Sequence, residues 1–343
     1  MVAVTSLPVL VVFAVVGSAL AWKGGDLLVR ASDRLGAYYG LPAIVQGAVI
    51  AAVGSSFPEL SSIIIATLRY GAFDIGIGAI VGSAVFNILV IPAVSALAGE
   101  NQRLASNRDL VYKEAQFYLL ALAVLVLTFS LAVIYRPTNG PEQLDGVVTP
   151  ALATIPLALY GLYLFMQYHD TLDHRAILTQ VVNDIDPLRQ WVALVVSLVV
   201  ILVGAELLVR AAVGFGELFG TSTFLWGLTV VAAGTSLPDT FVSVTAARQG
   251  NATMSLANVF GSNVFALLVA LPAGIFVAGG AVIAFEEVVP MMGFLTGASI
   301  VFFAVLRTEM ALTRGESFVL LGTYGLFLAW LVAESFGVIQ LLG

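Results

Sequence analysis

The sequence has no cysteine among its 343 residues, so neither a disulfide framework nor thiolate chemistry is open to it. Histidine is almost missing. His169 and His174 both fall in the longest polar stretch, which excludes a His/Cys metal cluster inside the apolar segments. Charge is scarce as well: 10% of residues are charged, against roughly 25% in a soluble domain. With 60% hydrophobic residues and a mean hydropathy of +1.03, the chain cannot cover itself with a water-facing surface. No nucleophile–base pair is present that would suit an intramembrane hydrolase. The opening MVAVTSLPVL lacks a basic segment and does not resemble a cleaved signal peptide. The net charge of −7 bears on solubility rather than on fold.

What is present is hydrophobic length. Runs such as VALVVSLVVILVG and FYLLALAVLVLTFSLAVIY suit membrane spans of about 20 residues. They are continuous rather than alternating, which predicts helices and not a barrel. Ten spans are expected, near 6–30, 41–69, 74–98, 112–135, 148–168, 190–213, 222–248, 253–277, 281–306 and 316–338. The connections are short, so no separate soluble domain fits.

The chain repeats itself. GSSFPE at 54–59 returns as GTSLPD at 234–239, and GGDLLVRA at 24–31 as GAELLVRA at 204–211, each 180 residues later. GSAVF at 82–86 returns as GSNVF at 261–265, one residue out of step. Three blocks in the same order indicate a duplicated five-span unit. An odd number of spans inserts the second copy upside down, as in many secondary transporters. The expected fold is therefore all-α and polytopic: ten transmembrane helices as two inverted five-helix repeats. The first repeat covers 1–146, the fifth helix and a cytoplasmic linker 147–189, and the second repeat 190–343.

Basic residues orient this arrangement. With both termini outside, Arg30, Arg34, Arg103, Arg108, Lys113, Arg175, Arg189, Arg248, Arg307 and Arg314 lie on the cytoplasmic side, and Arg69, Arg136 and Arg210 outside. Localisation in the plasma membrane is the corresponding expectation. Lys23 falls within the first span, where its long stem can snorkel.

Glu59 and Asp239 are the acids deepest in apolar surroundings, and intramembrane acids mark ion pathways. Pro58 and Pro238 each remove a helical donor, so carbonyls near Ala52 and Ala232 become candidate oxygen ligands. Ser55, Ser56, Thr235 and Ser236 add hydroxyls. In the following spans Ser83 and Asn87, four apart, share a helix face; Ser262 keeps its place, but Ala266 stands where Asn87 is expected. Asn258 and Asn263 are extra amides of the second copy. Gly82 and Gly261 suit close helix packing. Asp26 with Arg30 and Glu206 with Arg210 are i,i+4 pairs, read as structural anchors. Asp170, Asp173, Asp184 and Asp186 are read as a solvated linker.

GSSFPEL, AAGTSLPDTFVSVTAARQGN, GIGAIVGSAVFNILVI and NVFGSNVFALLVALP together resemble the two alpha-repeats of the cation/calcium exchanger superfamily, at 41–98 and 222–277. The sodium/calcium exchangers of prokaryotic type are most similar, with features of the potassium-dependent branch. The resemblance implies a membrane antiporter, not an enzyme, with a central site from spans 2, 3, 7 and 8. The implied ligands are Ala52, Ser55, Ser56, Glu59, Ser83 and Asn87, with Ala232, Thr235, Ser236, Asp239 and Ser262. It implies that spans 1 and 6 slide to alternate access. In the potassium-dependent branch an aspartate occupies the place of Ala266, so the alanine argues against potassium dependence. The expected activity is Ca²⁺ export driven by Na⁺, with Ca²⁺/H⁺ exchange as runner-up and a passive cation channel behind it. No cofactor, nucleic acid or obligatory protein partner is expected, only inorganic cations and the lipid bilayer.

Overall fold

The computed structural model describes residues 6–39, 52–108, 110–138, 144–173 and 185–335. His174, Arg175 and Asp184 lie outside the described residues, as do the first part of the second expected span and the end of the tenth. Among the described residues, eight helices are long and apolar enough to cross a membrane.

Two of these eight pack along each other: α1 (Leu7–Tyr38) and α7 (Pro187–Phe219). Both exceed their expected spans. Asp186 explains the early start of α7. Its carboxylate accepts from the backbone N–H groups of Leu188 (3.0 Å) and Arg189 (3.3 Å), ahead of Pro187 in the first turn. Asp186 is thus a helix cap rather than a free linker acid. The outer faces of the pair expose Val11, Val12, Val15, Val195, Val196 and Val199, which suits lipid contact. At one point between the helices backbone meets backbone. A Cβ on Gly17 would sit 2.9 Å from Gly204 O, and one on Gly204 would sit 2.8 Å from Ala21 N.

The pair lies against a core whose centre is α4 (Phe73–Ala98). This helix is apolar all round and buried along nearly its whole length, as such helices must be. Around it stand two broken helices. α2 (Ala52–Ser55) and α3 (Phe57–Tyr70) are separated at Ser56. α8 (Thr223–Trp226), a π-turn at Gly227–Val231, α9 (Ala232–Thr235) and α10 (Leu237–Arg248) form the second, separated at Ser236. Both breaks fall two residues before the expected prolines, Pro58 and Pro238. Gly71 ends α3 in the left-handed region (φ 61°), a conformation glycine adopts without penalty, so its N–H can turn back to cap the helix.

α11 (Ala252–Phe265), a π-turn at Ala266–Ala270 and α12 (Leu271–Ala278) make the counterpart of α4. The π-turn accounts for the one-residue slip in the repeat. Gly82 and Gly261 are 179 apart, whereas Pro92 and Pro272 are again 180 apart, and a single π-turn absorbs the extra residue between them.

The outer helices are α5 (Ala115–Tyr135), α6 (Pro150–Asp173), α13 (Phe285–Arg307) and α14 (Arg314–Ser335). The all-α expectation needs correction at their ends. β2 (Asp145–Val148) pairs antiparallel with β3 (Ala281–Ala284), and β1 (Leu104–Ala105) with β4 (Ala311–Leu312). The expected ninth span therefore starts four residues late. AVIA at 281–284 alternates buried and exposed side chains, too briefly to stand apart from the apolar helix behind it.

Gly82 shows how tightly the core is closed. A Cβ there would lie 2.2 Å from the backbone oxygen of Leu228, so the expected packing role holds. Gly82→Ala should lower the melting temperature in detergent, with an overpacking cost of about 1–3 kcal/mol. Gly161→Ala, with no atom within 4 Å of the new carbon, should not lower it. Heating followed by size-exclusion chromatography would compare the two. An unshifted Gly82→Ala would show that the helices separate freely.

Candidate ion-binding site

Each broken crossing brings its polar residues to the centre of the core. Pro58 and Pro238 lack the N–H that would continue the helix, and the chain resumes at once, placing Glu59 and Asp239 in a new first turn. Both acids are buried, at 1% and 0% exposure. Among the described residues, no Lys, Arg or His pairs with either.

α4 connects them. Ser83 donates to Glu59 Oε1 at 3.1 Å. One turn on, Asn87 Nδ2 donates to Asp239 Oδ2 at 3.3 Å. The predicted four-residue spacing on one face therefore spans both carboxylates. Ser236 Oγ is 2.7 Å from Ser83 Oγ. On the other side, Ser262 of α11 donates to Asp239 Oδ1 at 2.8 Å, and Ser55 Oγ lies 3.3 Å from Ser262 Oγ. Ser55 also engages Asp239, and Thr235 engages Glu59, so each of these matching hydroxyls serves the acid of the opposite half.

The amides add a second layer. Asn258 Oδ1 is 3.5 Å from Ser55 Oγ, and its Nδ2 donates to Asp239 O (3.3 Å) and Ser243 Oγ (3.1 Å). Asn263 Oδ1 accepts from Asn87 Nδ2 at 3.0 Å. Ala232 differs from expectation. Its carbonyl already accepts from Ser236 N at 3.1 Å and Thr235 Oγ1 at 3.3 Å. A proline at 238 frees the carbonyl four residues earlier, at Gly234, and leaves that of Ala232 bonded. Ala52 opens α2, and its side chain is outside the described residues.

Three buried oxygens at this centre have no hydrogen-bond partner among the described residues: Glu59 Oε2, Asn87 Oδ1 and Ser56 Oγ. Buried acceptors are seldom left so. Together with the bonded carboxylate oxygens of Asp239, they form a set of hard oxygen donors that includes two carboxyl groups. Such a set suits Na⁺ or Ca²⁺ and has no nitrogen or sulfur ligand for a softer metal.

Sequence reasoning missed Tyr118 on α5, whose hydroxyl is 3.3 Å from Asn263 Nδ2. A hydroxyl-bearing ring in an otherwise apolar span was the available signal. It also read Glu206 and Arg210 as a local pair only. They do pair, at 2.7 Å, and Asp26 pairs with Arg30. Glu206 additionally accepts from Arg69 (3.1 Å) and from the Tyr70 hydroxyl (2.7 Å), tying α7 to the end of α3.

The family model described as sodium/calcium exchanger protein matches residues 9–169 and 189–333. The sodium/calcium exchanger MaX1 of Methanosarcina acetivorans is 26% identical over 269 residues, 71% of this chain and 75% of that one. Sodium/potassium/calcium exchanger 2 of Homo sapiens is 43% identical over 76 residues, 22% of this chain and 12% of that one. A solved structure of the sodium-calcium exchanger NCX_Mj, soaked with sodium and strontium, superposes with a TM-score of 0.65 at 25% identity, covering 94% of this chain and 99% of that chain. The family match runs through both paired acids and through nearly every helix that encloses them; the chain belongs to the sodium/calcium exchanger family of membrane antiporters.

Proposed function

We propose that the protein exports Ca²⁺ in exchange for Na⁺ by alternating access at the Glu59–Asp239 centre. The observation that carries this reading is the set of unpartnered buried oxygens beside two acids that no basic side chain neutralises among the described residues. Two ionised carboxylates balance one Ca²⁺ or two Na⁺. Calcium takes about 6–8 oxygens, and Ser55, Ser56, Ser83, Asn87, Thr235, Ser236 and Ser262 stand around the acids to supply them. A further Na⁺ is held by hydroxyls and carbonyls. Competition for one set of oxygens makes the fluxes exchange, and no covalent step is involved.

In this reading the two broken crossings complete ten spans, as two inverted five-helix units with both termini outside the plasma membrane. The basic residues support that orientation. α1 and α7 slide across the core, where Gly25 meets Pro238 and Gly234 meets Leu208 and Ser18 at close range.

Sodium-gradient-driven ⁴⁵Ca²⁺ uptake in proteoliposomes, with and without a proton uncoupler, tests the proposal. Uptake that follows the Na⁺ gradient and survives the uncoupler is expected. Collapse with the uncoupler would indicate proton coupling, and downhill flux without either gradient a channel. Glu59→Gln and Asp239→Asn should each reduce uptake by roughly a hundredfold or more, since removing one partner from a buried charge interaction costs about 3–5 kcal/mol. Near-normal uptake in both variants would place the site elsewhere.

Potassium gives a separate prediction. Ala266 is buried, follows Ser262 by four residues and carries no side-chain oxygen. Replacing K⁺ by an inert cation should leave wild-type exchange unchanged. Ala266→Asp adds a third acid beside the centre and should make transport depend on K⁺ or on pH. Strong potassium dependence in the wild type would count against the role given to the missing oxygen.

A further inference from the structure

Asn263 neighbours Ser262 in sequence, yet its amide bonds lead away from the carboxylates. Its Nδ2 donates to Ala84 O at 3.3 Å and meets the Tyr118 hydroxyl at 3.3 Å; its Oδ1 accepts from Asn87 at 3.0 Å. A backbone carbonyl can only accept, so the atom facing Ala84 must be the nitrogen. That fixes the Asn263 amide, and the acceptor it then presents requires nitrogen from Asn87. Both hydrogens of Asn87 Nδ2 are thereby used, on Asn263 Oδ1 and on Asp239 Oδ2. What remains of Asn87 is its oxygen, buried and unpartnered among the described residues.

Tyr118 stands behind this arrangement. It is fully buried, its hydroxyl is bonded to Ser299 as well as to Asn263, and its ring lies 6.3 Å from that of Phe303. Tyr118 and Ser299 belong to α5 and α13, which contribute none of the oxygens around the acids. The chain of constraint runs from these outer helices through Asn263 to Asn87. Without it only the longer bond to Asp239 Oδ2, at 3.3 Å, would hold the Asn87 amide against turning N–H groups toward the cation.

We propose that Asn263, buttressed by Tyr118, is a positioning residue that locks the Asn87 amide with Oδ1 toward the transported cation. This rests on the exchange reading above and deepens it. Asn263 then serves the site through Asn87, toward which its oxygen is turned. Partners that orient metal ligands typically change affinity by about 10–100-fold when removed.

The test is a double-mutant cycle on reconstituted protein, read as the KM for Ca²⁺ in sodium-driven ⁴⁵Ca²⁺ uptake. Asn263→Ala should raise KM about 10–100-fold, and Tyr118→Phe should raise it less, because Ala84 O still holds the amide. In an Asn87→Ala background neither change should raise KM further, since the residue they act through is gone. Losses that multiply in the double variants, or a fall in maximal rate with KM unchanged, would overturn the proposal. Should Asn263→Ala fail to run as a single species in detergent, Tyr118→Phe with and without Asn87→Ala separates the same two outcomes. A wild type that neither takes up nor binds ⁴⁵Ca²⁺ would overturn the exchange reading and this proposal together. A transporting wild type with multiplying losses overturns this proposal alone.

Discussion

Two carboxylates share a protein interior whose described residues offer them no basic group, and the rest of the core answers to that fact. An ionised acid at such depth costs several kcal/mol unless hydrogen bonds and a counter-charge compensate it. Hydroxyls and an amide from α4 and α11 supply the hydrogen bonds: Ser83 to Glu59, and Ser262 and Asn87 to Asp239. Under the proposed exchange the counter-charge arrives as the cargo, which is why an empty site and one holding calcium and sodium together would both be poor travellers. The glycine contacts follow from the same demand, because Gly78 and Gly82 let α4 approach the second broken crossing at backbone distance and so bring Asn87 within reach of Asp239.

Much of this was legible in the sequence. The hexapeptides foretold the breaks, because a proline beside a carboxylate in an apolar run has few structural explanations. The spacing of Ser83 and Asn87 foretold a shared face. What was not legible lies in relations between distant segments. Nothing local announces that Tyr118 reaches Asn263, or that Arg69 and Tyr70 meet Glu206 from another helix. The proline locates the freed carbonyl only to a neighbourhood: the one four residues before Pro238 is that of Gly234, close to the Ala232 named from the sequence. The β2–β3 pair went unseen because four residues of alternation cannot be separated from the start of a hydrophobic helix.

The two copies are related but have not stayed equal. Asn87 has only Ala266 as its counterpart, and the second copy compensates with amides at 258 and 263. Its π-turn at Ala266–Ala270 has a regular α-helix as counterpart in α4. Glu206 holds three groups, two of them from α3, while its counterpart Asp26 has only Arg30 among the described residues. One end of the α1–α7 pair is therefore clasped to the core by a contact that has no equivalent among the described residues at the other. A duplication that kept perfect equivalence would give Asp26 the same partners as Glu206.

The bare contact between Gly17 and Gly204 has a mechanical consequence. At that point the two helices meet backbone to backbone, and on either side Ile201 packs over Gly24 and Leu10 over Gly214. One cannot rotate about its axis or advance along it without carrying the other. α1 comes from the first half of the chain and α7 from the second, and the loops that join them to their own halves are far apart in sequence. The pair is nonetheless a single yoke. Under the proposed sliding of α1 and α7, the pair would therefore move as one body that joins the two halves of the chain.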